Sequence, residues 1–417
     1  MKKEDHKIYI IGAGVAGLVA AKVLEDQGFY PTIIEGTDRV GGRVKTDIVD
    51  GYQLDHGFQV LLTAYPAAQK YLNFEALELQ EFLPGATIFN EGKQKTIGDP
   101  LRAISLLLPT LFSGIGTFGD KFKILKLNTL LKQSSLTEIF AKPEKTTYNY
   151  LVDFGFSAEM ISKFFKPFFS GIFLEPNLET SSRMFEFVYK MFGEGNATIP
   201  KAGIEAIPLQ LKATLKQTEF LFNTKVASVR EGKIILADGT ERESNYTIIA
   251  AEASPLVSKL KNQEVEWKSC DTLYFETDKR VIDKPLVGLV ADKDSLVNNI
   301  IYHTRVATKT AGTKELLSVT VVKKHELSAE ALQHQVIKEL KQCCGIETSK
   351  FIKQYTIKKA LPKLENLLYE MNPSETKLIA NIFLAGDTQL NSSLNAAMIS
   401  GERAAMGVVE EIFLKHS

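Results

Sequence analysis

The chain has only three cysteines in 417 residues. So few thiols exclude a disulfide framework and point to a reducing compartment. Cys343 and Cys344 are adjacent, and His303, His325 and His334 are scattered, so neither set has metal-site spacing. No charge is in excess either. The 50 basic side chains match 50 acidic ones, which leaves no global field to draw in nucleic acid. Long apolar runs are missing, and nothing approaches the roughly 18 residues of a membrane-spanning helix. The opening stretch, "MKKEDHKIYIIGAG", passes from charge straight into a strand without the apolar core of a secretory signal. A cytoplasmic protein is expected, and the length suggests two domains or one domain with a large insertion.

What is present begins at once. "KIYIIGAGVAGLVAAKVLEDQG" reads as strand, turn and helix. Ile8 to Ile11 form a short apolar run suited to a buried parallel strand. Gly12, Gly14 and Gly17 follow as GxGxxG, then a helix with a small-residue face, ended by Gly28. Gly12 permits the tight turn, Gly14 lets backbone approach a pyrophosphate, and Gly17 lets the helix lie against the strand. Val15 and Ala16 open the helix, whose free N–H groups and positive end suit phosphate. "YPTIIE" supplies a second strand, with Glu35 and then Gly36 at its end. A carboxylate there accepts hydrogen bonds from ribose hydroxyls. A second match at Gly114, Gly116 and Gly119 follows a segment broken by Pro109 and precedes a basic, helix-like stretch, so it reads as a loop.

Six residues beyond Glu35 stand Gly41, Gly42 and Arg43, in "RVGGRVKT". A simple NAD site needs nothing there. Two glycines let backbone pass tightly against a ligand, and the arginine fork reaches a phosphate. A second phosphate-binding loop suits a longer dinucleotide, FAD. With these residues the segment from Gly12 to Thr46 resembles the N-terminal signature of the flavin-containing amine oxidoreductases. Three later stretches extend the resemblance. "YQLDHGFQVL" resembles the segment placing Gly57 and Phe58 beside the flavin. "AGIEAIPLQLKATL" and the strands after it resemble the return to the FAD domain, where Val226 meets the adenine region through its backbone. "NIFLAGDTQLNSSLNAAMISGERAA" resembles the C-terminal FAD motif. There the resemblance puts Gly386 and Asp387 at the ribityl or diphosphate region. It puts the helix start at Leu394 and Asn395 near the flavin ring, where its positive end favours the reduced, negatively charged ring.

The resemblance implies an α/β fold. A Rossmann-like FAD-binding domain would be assembled from residues 1–75, 195–260 and 350–417. An inserted α+β substrate domain would be formed by 76–194 and 261–349. Residues 76–194 read as largely helical and aromatic, with Phe164, Phe165, Phe168, Phe169 and Phe173 close together and Phe156 upstream. Such a stripe reads first as core. Segments 268–280 and 315–323 read as strands roofing a cavity.

The resemblance also frames the reaction. Monoamine oxidases in this family flank the amine with two tyrosines. Ser393 holds one of those places here, and the nearest tyrosine to the other is Tyr355. The family's lysine near flavin N5 aligns with Cys270, with Lys268 two residues earlier. No cysteine follows Cys344, so FAD is expected to be non-covalent. These features suggest dehydrogenation of an apolar small molecule by hydride transfer to flavin N5, as in desaturases or protoporphyrinogen oxidases. An amine oxidase using Lys268 and a non-catalytic flavin-binding protein with a partner-binding role stand as alternatives. His56, beside Gly57, reads as structural. "LRAISLLLPTLFSGIG" (101–116) reads as a buried helix split at Pro109, or as a peripheral membrane contact.

Overall fold

A computed structural model describes residues 3–99, 102–106, 114–309 and 312–415. Strand Ile8–Ile11 lies inside a six-stranded sheet, between Thr32–Ile34 and Tyr246–Ile249. Glu219–Leu221 and Ile382–Leu384 extend it in parallel, and Lys377–Ile379 closes one edge antiparallel. Helix Val15–Asp26 covers one face, with Leu18, Ala20, Ala21 and Leu24 wholly buried. The last helix, Leu394–Leu414, packs across it at Gly401. A Cβ on Gly401 would stand 2.2 Å from the Ala16 carbonyl oxygen, so only glycine permits this approach. The sheet thus recruits strands from distant parts of the chain, the Rossmann-like arrangement expected.

The second sheet has seven strands in the order Lys350–Pro362, Trp267–Thr277, Glu315–Val321, Val297–Tyr302, Val287–Val290, Gly85–Asn90 and Lys93–Gly98. One finding departs from the sequence expectation. Strand Lys350–Pro362 was assigned by sequence to the nucleotide-binding segments, but it pairs along nearly its whole length with Trp267–Thr277. Its four lysines suit a sheet edge, where charged side chains meet water. The expected strands near 268–280 and 315–323 are present. Region 76–194 is helical from Phe118 onward but also supplies two strands to this sheet. Of the apolar segment 101–116, residues 101 and 107–113 lie outside the described residues. Leu106 and Ile115 beside them are buried.

Helix Phe118–Gln133 begins with a reciprocal cap. The Thr117 hydroxyl accepts from the Asp120 N–H, and Asp120 accepts from the Thr117 N–H at 2.7 Å. Asp120 also accepts from the Thr117 hydroxyl (2.9 Å) and from the Ser157 N–H (2.8 Å) and hydroxyl (2.7 Å). Burial raises the pKa of this carboxyl, but the four donors outweigh burial and bring it from 3.8 to about 2. Its folded pKa is therefore depressed, so its stabilisation is present above about pH 4 and lost as pH falls toward 2. Asp120→Ala should cost about 2 kcal/mol near neutral pH. The gap from wild type should shrink in denaturant melts at pH 3.

Candidate active site

A single cavity of ≈ 2190 Å³ runs between the six-stranded sheet, the seven-stranded sheet and the helices. A drug-sized ligand pocket is roughly 300–1,000 Å³, so this one has room for a large cofactor and a second molecule.

Its floor is the glycine turn. Gly12 has φ +106°, and a Cβ there would meet the Ala250 carbonyl oxygen at 2.9 Å. A Cβ on Gly17 would lie 2.1 Å from the Gly12 oxygen, so helix and strand touch there. Gly14 differs. Its backbone is extended, and nothing lies within 4 Å of where its Cβ would be. Among the described residues no side chain caps this helix. The second glycine loop folds onto the first. Gly41 donates its N–H to the Ala13 carbonyl at 2.9 Å, and a Cβ on Gly42 would lie 3.3 Å from Gly14 Cα. Glu35 joins the two by accepting from the Ala13 N–H at 2.8 Å and from the N–H and hydroxyl of Thr37.

Arg43 reaches across the cavity. Its guanidinium pairs with the buried carboxylate of Asp387 and donates to the Ala360 carbonyl at 3.0 Å. Trp267 packs against it, 5.2 Å from ring centroid to guanidinium, and its buried indole N–H has no partner among the described residues. A buried donor in a cavity wall, beside an arginine and a glycine turn with space for a Cβ at Gly14, is what an anionic ligand would complete. The chemistry of this end therefore fits the diphosphate of FAD. Trp267→Phe keeps the ring and removes the donor, so it should weaken FAD binding by about tenfold. The check is recovery of flavin fluorescence on dilution.

At the other end Gly57 has φ +90°. That positive φ favours glycine, and a Cβ there would also crowd the Ile357 side chain at 2.9 Å. Phe58 lines the cavity edge-on to Phe82. His56, which also lines the cavity, bonds Asp47 (Nε2 to Oδ2, 2.8 Å) and lies tilted against Tyr355, 4.4 Å between ring centroids. Opposite, strands Trp267–Thr277 and Lys350–Pro362 are out of step. Lys268 faces Leu361 but Cys270 faces Ile357, an irregularity of the kind that re-aims side chains beside active sites. Lys268 lines the cavity and donates to the Thr180 hydroxyl at 2.9 Å. Burial lowers its pKa, only partly opposed by Glu175. Burial pushes the Cys270 thiol up to about 12, leaving it neutral.

Most candidates from the sequence converge here: Gly12, Gly14, Val15, Ala16, Glu35, Gly41, Gly42, Arg43, Gly57, Phe58, Gly386, Asp387 and Leu394 all line the cavity. Four do not. Gly17 sits behind, at the helix–strand contact. Gly36 is exposed. Val226 is buried among Ile11, Ile34 and Leu236. Asn395 is fully buried and accepts from the Ala67 N–H at 3.0 Å, while Ser393 caps the helix through the Ala396 N–H. The aromatic stripe divides: Phe165 and Phe156 are core, whereas Phe164, Phe168, Phe169 and Phe173 border the cavity. A π-turn at Ile161–Phe165 rotates the stripe to do so. Sequence reading passed over Trp267 as a site residue and Gly401 as a contact. A lone tryptophan at the start of a strand was the available signal.

Residues 15–409 match the model of the family described as flavin containing amine oxidoreductase, and the chain belongs to that family. That family is one of flavin-containing oxidoreductases, and the chain matches less than a fifth of the length of the curated relatives it resembles. An L-amino-acid oxidase from Sistrurus catenatus edwardsii is 38% identical over 76 residues, which is 18% of this chain and 15% of that oxidase. An oxidoreductase from Methanosarcina mazei shares the fold with TM-score 0.72 at 15% identity, covering 97% of this chain and 100% of that one. Cyclohexylamine oxidase from Brevibacterium oxydans does so with TM-score 0.69 at 16% identity, covering 98% and 100%.

Proposed function

We propose that this protein oxidises an amine whose remainder is apolar, using FAD held in the cavity. In this reading the backbone at Gly14, Val15 and Ala16, together with Arg43, holds the diphosphate. Glu35 meets the adenosine ribose with Gly36 beside it, and Val226, whose side chain packs behind the cavity wall, meets the adenine through its backbone alone. Gly386 and Asp387 hold the ribityl side, Gly57 and Phe58 lie along the ring, and Gly12, Gly17, Gly41 and Gly42 shape the loops. The helix start at Leu394 and Asn395 points its positive end toward the ring. FAD supplies the two-electron acceptor.

The observation that carries the reading is Lys268, a desolvated lysine in the wall of the same cavity. An ammonium group has no lone pair to assist loss of hydride from the adjacent carbon. It must first give up a proton, and Lys268, whose pKa burial lowers, is the group in the wall that accepts one in its deprotonated form. Thr180 holds the Lys268 amine in place. Phe164, Phe168 and Phe173 provide a dry surface for the substrate body. Cyclohexylamine, named for one protein of the same fold, is an amine of this type.

A second reading rests on Cys270, neutral and buried where the family resemblance places a lysine. With no base required there, an apolar carbon–carbon bond would be dehydrogenated instead. Anaerobic mixing with a panel of hydrophobic amines and with amine-free isoprenoids separates the two. Bleaching of the flavin by amines supports the first reading, and bleaching by isoprenoids alone sinks it.

A further inference from the structure

Helix Phe118–Gln133 has three faces with different work. Leu127 and Leu131 are buried in the core. Lys121, Ile124, Leu125 and Asn128 line the cavity. The third face points to solvent yet carries large apolar side chains: Phe118 is 77% exposed, Phe122 72%, Leu125 49% and Leu130 41%. Phe118, Phe122 and Leu125 recur at helical spacing, so they form one stripe along one side. Single exposed apolar residues need no explanation, but two neighbouring phenylalanines held almost wholly in water on a capped helix do.

The charges of the helix point to what covers the stripe. Lys121, Lys123, Lys126 and Lys132 flank it, and the one acid, Asp120, is buried in the N-terminal cap. Aromatic side chains on one face with lysines beside them are the pattern of a helix lying in the plane of a lipid surface. Lysines bordering apolar side chains also suit an anionic headgroup layer, where the ammonium groups stay hydrated while the rings enter. No helix among the described residues is long and apolar enough to cross a membrane, so contact here would be from one side only.

We infer that helix Phe118–Gln133 seats the protein on an anionic lipid surface, Phe118 and Phe122 entering it, and turns the rim of the cavity toward that surface. Leu125 is both half-exposed and part of the cavity wall, so the stripe and the cavity meet at one residue. A substrate dissolved in the bilayer then enters without crossing water. The surface stands independently of whether the substrate is an amine.

The test is sedimentation of the flavin-loaded protein with vesicles of phosphatidylcholine and phosphatidylglycerol (3:1), and with phosphatidylcholine alone. The wild type should pellet with the anionic vesicles and be released by salt. Phe118→Ser/Phe122→Ser should lose at least about tenfold in partitioning, since each ring is removed from the apolar layer. Its flavin content, read from the same samples, should not change, because neither ring lines the cavity. The inference is overturned if the wild type stays in the supernatant, or if the double variant pellets equally well. It is also overturned if light scattering shows a dimer that the double variant splits, since the stripe would then be an interface between copies. A colourless preparation would instead count against the cofactor reading, and sedimentation would still report on the helix.

Discussion

Gly14→Ala should fold normally and bind FAD poorly, whereas Gly17→Ala should be damaged as a protein. The two positions are three residues apart in one motif, yet they are glycine for different reasons. At Gly14 the backbone is extended and a Cβ meets nothing within 4 Å, so the folded chain accepts alanine without strain. What the methyl group would meet is the ligand, at the point where backbone must approach a diphosphate. Loss of that approach should weaken FAD by about 10- to 100-fold, the equivalent of about 1.4–2.8 kcal/mol. The melting temperature of the apoprotein should be unchanged. At Gly17 the Cβ would lie 2.1 Å from the Gly12 oxygen, a backbone atom that cannot swing aside. Strand and helix must separate, at a cost of about 1–3 kcal/mol or more. Thermal melts of both apoproteins beside FAD titrations make the comparison. Equal flavin affinity in Gly14→Ala and wild type would remove the diphosphate from this turn.

Lys268→Met should retain FAD and lose the reaction with amines. Methionine fills similar volume and cannot accept a proton. Removing a positioned base lowers a proton-dependent step by about 10²- to 10⁴-fold, and flavin reduction by an amine should fall within that range. The pH dependence gives the sign. Burial lowers the Lys268 pKa below its ordinary value of 10.5, so the neutral form gains population as pH rises toward that lowered value. The wild-type rate should climb along that limb, and the limb should vanish in the variant. A merely structural lysine would change the rate at every pH alike. Unaltered reduction kinetics in Lys268→Met would favour the carbon–carbon reading.

The legible part of this protein was its local part. Ile8–Ile11, the glycine turn, Glu35 and the Gly-Gly-Arg all act within some forty residues, where spacing alone carries the geometry. The C-terminal strand and helix were equally readable, down to the helix start beside Ser393. Less legible was what depends on pairing between distant segments. Lys350–Pro362 precedes the C-terminal motif in sequence, and nothing in its lysine-rich composition reveals that Trp267–Thr277 is its partner. The phenylalanine cluster shows the same limit. Its composition predicts burial, but the π-turn decides that Phe165 enters the core and Phe164 borders the cavity. Gly401 was readable as one small residue in a helix, whereas its contact with the Ala16 carbonyl needs both helices in place.

The most direct test of the account is an absorption spectrum of the purified protein, repeated on the filtrate after denaturation. The account predicts flavin bands in the native protein and their complete passage into the filtrate as FAD. A colourless protein that also fails to take up added FAD would contradict it, as would flavin that stays with the denatured chain.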